Sequence, residues 1–340
     1  MSKRLPILLV TIAALGVGVF VGLRLPRSSD GSDNSSTPAK LGATKATKFS
    51  MNVVVSGVPF WTEARATWAK MPDVYVNTTA TYGGPTNTDA QRQAEEIDAL
   101  VAAGGIDGLF IYPGDSKTLT RSINGAADRG IPVVTFLTDC PESKRLTYIT
   151  SDLEAAGERV ATRATANKPQ QGRAVVSYGQ AGNDEQEARA RGIRNVLSRT
   201  PEFRQVVTIE DKFDDAVGAE ALRVILAQSK DITGIFGCDS RSAVGAVQAL
   251  KESGYKPGEV IVSAWDFDNQ VIDMINDGWI QASVAQNSEF MTYLGYTILL
   301  SQKEKSFGKF GKGDTRTLPR QIIVPVELIT KENCEQYRRR

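Results

Sequence analysis

The sequence predicts an α/β protein with two doubly wound parallel-sheet lobes. Three observations support this fold class: short β-branched apolar runs alternate with segments of helical periodicity, glycines and capping residues separate the two, and each half contains a similar Asp-Ser junction between a strand and a helix. Strands that alternate with helices through short connections form parallel sheets with helices on both faces. The 340 residues are enough for two such lobes.

Ten apolar runs are the predicted strands. They are Met51–Ser56, Val74–Thr78, Gly108–Tyr112, Pro132–Phe136, Thr147–Thr150, Ala174–Tyr178, Gln205–Ile209, Gly234–Gly237, Val260–Ala264 and Ala282–Ala285. Between most of them the apolar residues recur at helical spacing, as Ile97, Leu100 and Val101 do.

Helix boundaries can be predicted from local residue types. Ser151-x-x-Glu154 and Thr88-x-x-Gln91 have the pattern of capping boxes, which begin helices. Gly104, Gly130 and Gly254 each follow a helical segment and predict its end, since glycine adopts the left-handed conformation found there.

An internal repeat favours two similar lobes. An apolar run leads into Asp115-Ser116 in the first half and into Asp239-Ser240 in the second, and each pair opens a helix that ends at a glycine. A simpler reading is that Asp and Ser are good N-caps wherever a strand leads into a helix. Both readings fit the sequence.

The N-terminus predicts export. Lys3 and Arg4 precede an uncharged run from Leu5 to Leu23, close to the ~20 residues that span a bilayer. Neither a small-x-small cleavage site nor a lipid-accepting cysteine follows, which favours an uncleaved inner-membrane anchor. We therefore expect a signal or anchor over 1–25 and a flexible linker over 26–48, with Leu41 its one large aliphatic residue.

Composition excludes several kinds of chemistry. The chain has no histidine, which removes Ser-His-Asp catalysis and histidine-ligated zinc. A formal net charge of +1 gives no reason to expect nucleic acid as a partner. No phosphate-binding or dinucleotide loop stands at a strand-to-helix junction, so we expect neither cofactor nor metal. Cys140, Cys238 and Cys334 are expected as small buried residues, although the sequence leaves a Cys140–Cys238 bridge open.

Acids, amides and aromatic residues follow the predicted strands. In open α/β sheets, ligands bind beyond the carboxyl ends of the strands. Carboxylates and amides there can hold hydroxyl groups in fixed directions, and aromatic rings cover the apolar face of a sugar. Asp239 and Asp266 could instead form a glycosidase pair, which a hinged binding fold disfavours.

The region from Met51 to about Lys331 resembles the ribose-type periplasmic substrate-binding proteins of bacterial ABC sugar importers. The segments that carry the resemblance are Asp89–Leu100, Ile106–Ser116, Gly130–Phe136, Ser143–Asp152, Gly157, Ala190–Ile193, Phe236–Ser240, Ala264–Asp268, Asp277–Ile280 and Ala282–Gln286. The resemblance implies a type I periplasmic binding protein fold with a three-crossover hinge. It assigns 49–151 with 287–320 to the first lobe and 152–286 with 321–331 to the second. Residues 332–340 are left as a tail, which we expect to be frayed from Tyr337 to Arg340.

The resemblance also implies a set of ligand-binding residues. They are Phe60, Trp61, Asp139, Arg191, Phe213, Asp239, Asp266 and Gln286. For five of them the sequence keeps a structural alternative: packing for Phe60, Trp61 and Phe213, a solvated helix face for Arg191, and helix capping for Asp239.

Two positions depart from the family pattern. Val58 stands where the family often has asparagine, and Leu137 where it usually has aspartate. A leucine side chain cannot accept a hydrogen bond from a hydroxyl, and stranding that group would cost about 1–3 kcal/mol. Either Asp139 turns into the pocket, or the first-lobe wall is less polar than in an ordinary aldose binder, which would suit a deoxy sugar, a modified sugar or another small polar ligand.

The resemblance implies an extracytoplasmic solute-binding protein, not an enzyme. We expect it to capture a sugar or sugar-like ligand as a monomer in the periplasm and to deliver it to an ABC permease. The alternative is a membrane-tethered sensor that presents its ligand to a receptor or kinase. A repressor core of the same fold is disfavoured, because the chain starts with an apolar run rather than a helix-turn-helix.

Overall fold

The computed structural model describes residues 41–57, 61–167, 170–306 and 318–338. The predicted export segment at 1–25 lies outside these ranges, as do Val58, Phe60 and most of the predicted linker. Among the described residues, none of the helices has the length and apolar character needed to cross a membrane.

The first lobe is a six-stranded parallel sheet with its helices. Its strands are β1 (Gly42–Val53), β2 (Val76–Gly83), β3 (Gly108–Tyr112), β4 (Val133–Phe136), β5 (Thr147–Thr150) and β11 (Gln321–Ile323), and its helices are α1 (Thr62–Val74), α2 (Ala90–Ala103), α3 (Ser116–Asp128) and α9 (Ser288–Lys303). The strand order is β11-β5-β4-β3-β1-β2, with all pairings parallel.

The second lobe repeats this plan. Its strands are β6 (Gly172–Tyr178), β7 (Phe203–Glu210), β8 (Ile232–Gly237), β9 (Ile261–Trp265), β10 (Ala282–Gln286) and β12 (Val326–Ile329), and its helices are α4 (Leu153–Ala164), α5 (Asp184–Leu197), α6 (Asp215–Gln228), α7 (Ser240–Glu252) and α8 (Asn269–Asn276). The order is β12-β10-β9-β8-β6-β7, with β12 an antiparallel edge strand. The predicted fold class is confirmed.

Alternate side chains of the strands enter cores on opposite faces of each sheet. On β3, Leu109 and Ile111 join a core with α2 and α3, whereas Phe110 joins a core with α1 and α9. This two-sided burial explains why the strands are continuous apolar runs rather than alternating ones.

The chain passes between the two sheets three times: from β5 to α4, from β10 to α9, and from β11 to β12. The last passage corrects the predicted boundary at 321. Gln321–Ile323 pairs with β5 in the first lobe, and only β12 belongs to the second. Sequence composition could not reveal this, because both short strands are edge strands whose partners are far away in the chain.

Strand β1 begins earlier than expected, at Gly42, inside the predicted linker of 26–48. Its first residues pair with β2, from Gly42 opposite Val76 onward, and Ala43 and Thr47 are buried. Pairing with a neighbouring strand thus overrides the polar composition of this stretch.

The helix starts shift by one residue from the predicted capping boxes. The N-caps are Asp89, which accepts a hydrogen bond from the Arg92 N–H at 2.9 Å, and Asp152, which accepts one from Ala155 N–H at 2.9 Å. Thr88 and Ser151 lie one position too early to do this. A carboxylate is a stronger hydrogen-bond acceptor than a hydroxyl, and its negative charge is stabilised by the positive end of the helix dipole.

The C-terminal tail packs on the second lobe through Arg338, in contrast to the fraying predicted from Tyr337 onward, and Arg339 and Arg340 lie outside the described residues. Cys334–Tyr337 forms a short 3-10 helix, and Cys334 is fully buried in the second-lobe core. Arg338 Nη1 forms an ion pair with Asp273 of α8 at 2.9 Å.

Cys140 and Cys238 are also free and buried, so the disulfide bridge that the sequence left open is not formed.

Candidate functional site

A cleft lies where the carboxyl ends of the two sheets approach each other, and a cavity there is lined by Glu63 at the start of α1, by Phe267 just after β9 and by Gln286 at the end of β10. Thr138, directly after β4, donates a hydrogen bond from Oγ1 to Oε1 of Glu185 in the first turn of α5, at 2.8 Å. This hydrogen bond joins the carboxyl-end region of the first lobe to α5 of the second, and ligands of open α/β sheets bind at such carboxyl ends.

Four of the six described non-glycine residues with positive φ lie at strand ends near this cleft. They are Leu137 after β4, Lys212 and Phe213 after β7, and Asp266 after β9, with φ between 57° and 67°. Such residues cost on the order of 1–3 kcal/mol and concentrate at functional sites. The backbone therefore indicates the same region as the topology.

Arg189 of α5 is the central cation on the second-lobe side. It is 6% exposed, and its guanidinium donates from Nη1 to the Cys238 carbonyl at 2.9 Å and from Nη2 to Oε1 of Gln286 at 3.0 Å. The guanidinium carbon also lies 4.3 Å from the ring centroid of Trp265, a cation–π geometry. These contacts fix the orientation of the guanidinium group.

Several buried polar atoms of this cluster have no hydrogen-bond partner within the described part of the chain. They are Arg189 Nε, Asp239 Oδ2, Trp265 Nε1 and Gln286 Nε2. Buried polar groups are nearly always paired, and an unpaired one costs about 1–3 kcal/mol. A cluster of both donors and acceptors suits a ligand with several hydroxyl groups.

Asp239 has two roles in this arrangement. It is the N-cap of α7, since Oδ1 accepts from Ser242 N–H at 2.8 Å, and its Oδ2 belongs to the unpaired cluster. Burial raises the pKa of Asp239, and repulsion from the Asp211 carboxylate raises it further. The capping alternative from the sequence is thus correct without excluding a ligand role for the second oxygen.

We predict that Asp239 makes the protein less stable as the pH rises. Because its pKa is raised on folding, the folded state binds this proton more tightly than the unfolded chain does. The free energy of unfolding should therefore fall from the ordinary carboxyl range, about pH 4, upward through the raised pKa. Urea unfolding at a series of pH values should show this fall in the wild type and a weaker one in Asp239→Asn.

The matching aspartate of the first lobe is the control for this experiment. Hydrogen bonds from Thr118 lower the pKa of Asp115, so its contribution is lost as the pH falls and not as it rises. Asp115→Asn should consequently alter the acid end of the profile. Parallel stability curves for the wild type and Asp239→Asn would contradict the prediction.

Asp266 and Phe213 are held by their backbones at the mouth of the second lobe. The Asp266 N–H donates to the Val284 carbonyl at 2.8 Å, and the side chain is partly exposed. The Phe213 N–H donates to Asp211 Oδ1 at 3.0 Å, and its side chain is 45% exposed against Gly179.

The aromatic wall of the first lobe is built on Trp61. Its ring lies 4.9 Å from that of Tyr112 and 5.8 Å from that of Phe136, and Nε1 donates to the Val55 carbonyl at 2.7 Å. Trp61 is 3% exposed, so packing accounts for most of its surface. Phe60, its predicted partner, lies outside the described residues.

Asp139 is engaged within the first lobe. Both of its carboxylate oxygens accept from the guanidinium of Arg145, which is itself 5% exposed. Asp139 Oδ1 also accepts from Thr135 Oγ1 at 3.0 Å and from Cys140 N–H at 2.7 Å. Turning Asp139 into the cleft would break this pair and leave a buried arginine without its partner, which is costly. Leu137, 3% exposed, adds no polar atom from its side chain.

Arg191 lies on the opposite side of α5 from the cluster. Its side chain is 55% exposed, and Nε donates to Glu154 of α4 at 3.2 Å. The solvated helix face that the sequence offered as an alternative is therefore where the structure places it.

The sequence reasoning missed Arg189, although helical periodicity contained the signal. Ile193 and Leu197 are the buried apolar anchors of α5. Residue 189 precedes them by one and two turns and so shares their face, whereas residue 191 is rotated by about 200° from residue 189. Glu185, one turn before Arg189, was missed for the same reason.

Among residues 41–57, 61–167, 170–306 and 318–338, no three His, Cys, Asp or Glu side chains are grouped so that they could hold an ion. What the cleft offers is a fixed guanidinium, an amide, two aspartates and aromatic rings, which can bind and orient a polar ligand.

Comparison with known proteins gives a consistent match. The family model described as the periplasmic binding protein domain matches residues 49–306. The ribose import binding protein of Bacillus subtilis is 28% identical over 205 residues, which are 60% of this chain and 65% of that protein, just under two thirds of its length. The xylitol-binding protein of Mycolicibacterium smegmatis is 27% identical over 254 residues, 73% of this chain and 68% of that protein.

A solved structure extends the match over the fold. An ABC transporter solute-binding protein from Burkholderia graminis, in complex with D-arabinose, aligns with a TM-score of 0.74 and 26% identity. The alignment covers 88% of this chain and 100% of that structure.

Proposed function

The chain belongs to the periplasmic binding protein family, and from that membership we propose that it captures a sugar or sugar-like polar ligand between its lobes and delivers it to an ABC permease. The observation that carries this proposal is the buried cluster around Arg189, whose unpaired donors and acceptors lie at the carboxyl ends of the second-lobe strands. The names of the relatives, which cite ribose, xylitol and D-arabinose, support the ligand class.

Each residue of the site has a definite task in this proposal. Arg189 and Gln286 donate hydrogen bonds to ligand oxygens, and Arg189 takes the role that the resemblance implied for Arg191. Asp239 and Asp266 accept hydrogen bonds from ligand hydroxyls. Trp61 and Phe213 approach from opposite lobes and cover the apolar faces of the ring. Roles for Phe60 and Asp139 stay predictions from the resemblance.

The first-lobe wall offers few side-chain acceptors of its own. Leu137 is apolar, and Asp139 is satisfied by Arg145. A deoxy or otherwise modified sugar, or a polyol that turns a C–H edge to this wall, needs no acceptor there, whereas an ordinary aldose needs one from the opposite lobe.

We also propose the cellular context on indirect grounds. The positively charged, apolar N-terminus supports a position outside the cytoplasm with an inner-membrane anchor. A transport role is preferred to a sensor role because the relatives named above are import or solute-binding proteins. In this proposal the protein acts as a monomer and is not an enzyme.

A thermal-shift screen of the full chain tests the ligand class. Pentoses, hexoses, deoxy sugars and polyols should include at least one compound that raises the melting temperature in a saturable way, since a ligand that binds only the folded state stabilises it. Unchanged compound after prolonged incubation is the result expected of a binding protein. A broad panel without any stabilising member would refute the sugar assignment.

We predict that Asp266→Ala and Trp61→Ala each weaken binding of the stabilising sugar by tenfold or more, about 1.4 kcal/mol. Asp266→Ala removes a hydroxyl acceptor, and Trp61→Ala removes ring contact. Isothermal titration measures both. Asp277→Ala, an exposed acid at the end of α8, and Trp279→Ala, at the opposite end of the second-lobe strands, are the controls and should keep the wild-type affinity. Wild-type affinity in both test variants would contradict the prediction.

A further inference from the structure

Glu185 is an acid of the second lobe that contacts the first. From the first turn of α5, its Oε1 accepts the hydroxyl of Thr138 at 2.8 Å, and its Oε2 lies 3.4 Å from Nη2 of Arg189. The side chain is 22% exposed. The carboxylate thus joins the Arg189 cluster to the loop that follows β4.

Two tyrosines of the first lobe lie within electrostatic reach of Glu185. Its negative charge is the largest cause of the raised pKa of Tyr112, with burial second. Burial is the main cause of the raised pKa of Tyr148, to which the Glu185 charge also contributes. Glu185 therefore faces the wall of the cleft that carries Tyr112 and Tyr148.

Glu185 retains acceptor capacity in this position. A carboxylate offers about four lone-pair sites, and Thr138 and Arg189 use one each. By contrast, Arg145 binds both oxygens of Asp139, and the side chain of Leu137 has no acceptor. On this side of the cleft, Glu185 is therefore the acid best able to accept a further hydrogen bond.

We propose that Glu185 is a specificity-determining residue, which docks on Thr138 when the lobes close and accepts a ligand hydroxyl beside the apolar Leu137. This inference rests on the function proposed above and assigns the missing acceptor of the first-lobe wall to the opposite lobe. The unpaired Arg189 Nε and Gln286 Nε2 nearby are independent signs that a polar ligand occupies this part of the cleft.

The arrangement links selectivity to closure. A carboxylate on α5 reaches the Leu137 side of the ligand only when the two lobes approach each other. A ligand without a hydroxyl at that point forgoes one hydrogen bond to the half-buried carboxylate, so it should bind more weakly than the parent compound. Discrimination should therefore depend on Glu185.

The test compares ligand and protein variants in one cycle. Isothermal titration of the full chain with D-ribose, D-arabinose, xylitol and the monodeoxy analogues of each should identify one hydroxyl whose removal weakens wild-type binding by about tenfold or more. Glu185→Ala should bind the parent compound about tenfold more weakly and lose that discrimination, with Glu185→Gln intermediate. Glu187→Gln, on the same helix turn but paired with Arg194, is the matched control.

Small-angle scattering of the ligand-free chain tests the contact with Thr138 separately. Thr138→Val removes the hydroxyl at nearly constant volume, and the radius of gyration should increase as the cleft opens, whereas Glu187→Gln should leave it unchanged. Circular dichroism establishes that every variant is folded.

Each outcome distinguishes the inference from the function it rests on. If none of the probes binds the wild type, the specificity role falls for these sugars, whereas the proposed function falls only if the thermal-shift panel also contains no stabilising compound. Unchanged scattering of Thr138→Val would remove the docking contact. If the wild type binds but folded Glu185→Ala keeps the same affinity and discrimination, the specificity role is overturned even if scattering changes. Loss of discrimination in Glu185→Ala alone supports the role.

Discussion

Replacing Arg189 by methionine should weaken sugar binding by about 100-fold or more, some 2.7 kcal/mol. The substitution keeps most of the buried volume but removes the hydrogen bonds to Cys238 and Gln286 and the cation–π contact with Trp265. Gln286 then has no fixed orientation. The ligand loses the guanidinium as a donor, and the Gln286 amide is no longer held ready for it.

Arg191→Met is the matched control, two residues along the same helix. Because Arg191 is exposed and pairs only with Glu154 among the contacts described, its loss should change affinity less than twofold. Arg189→Lys should fall between the two, since lysine keeps the charge but not the planar fork of donors. Isothermal titration of the folded variants measures these affinities. A larger loss of affinity in Arg191→Met than in Arg189→Met would overturn the assignment of Arg189 to the binding site.

Trp68→Ala should lower the free energy of unfolding by about 3–5 kcal/mol, the usual cost of truncating a fully buried aromatic residue. Trp68 of α1 is 1% exposed, stacks on Phe110 at 5.6 Å and meets the ring of Tyr296 edge-on at 4.8 Å. Its Nε1 donates to the Thr81 carbonyl at 2.9 Å. One side chain thus joins β3, β2 and α9.

Loss of Trp68 should also weaken the attachment of α9 to the first lobe. This helix follows the strand β10 of the second lobe in the chain and then packs on the first lobe. Urea unfolding measures the effect. Trp68→Phe, which keeps the stacking but not the hydrogen bond, should lose less, about 1–2 kcal/mol. Phe290→Ala, on the exposed side of α9, should stay within about 0.5 kcal/mol of the wild type. Equal losses in Trp68→Ala and Phe290→Ala would show that this junction does not hold the lobe together.

Much of the fold could be predicted because it is encoded locally. Gly108–Tyr112 and Thr147–Thr150 are strands with the predicted bounds. Their apolar runs are buried on both faces, so neighbouring residues alone identify them. Gly104, with φ of 73°, ends α2 as expected, since glycine adopts this conformation without strain.

Other elements could not be predicted, because their partners are distant. The early start of β1 depends on pairing with β2, and the placement of β11 depends on pairing with β5, more than 170 positions earlier. The C-terminal tail is ordered by Cys334 in the second-lobe core. None of these contacts can be detected from the amino-acid composition of the segments that make them.

For the candidate site, the sequence determined which strand ends would face the cleft and which residue types they carry, because the order of strands and helices follows from local periodicity. Only the tertiary structure decided which polar side chains are free to meet a ligand. Asp139 is engaged by Arg145, and Glu185 is brought to Thr138. The first result depends on how the loop between β4 and β5 folds onto itself, and the second on contact between the two lobes, and neither follows from the residue types of one segment.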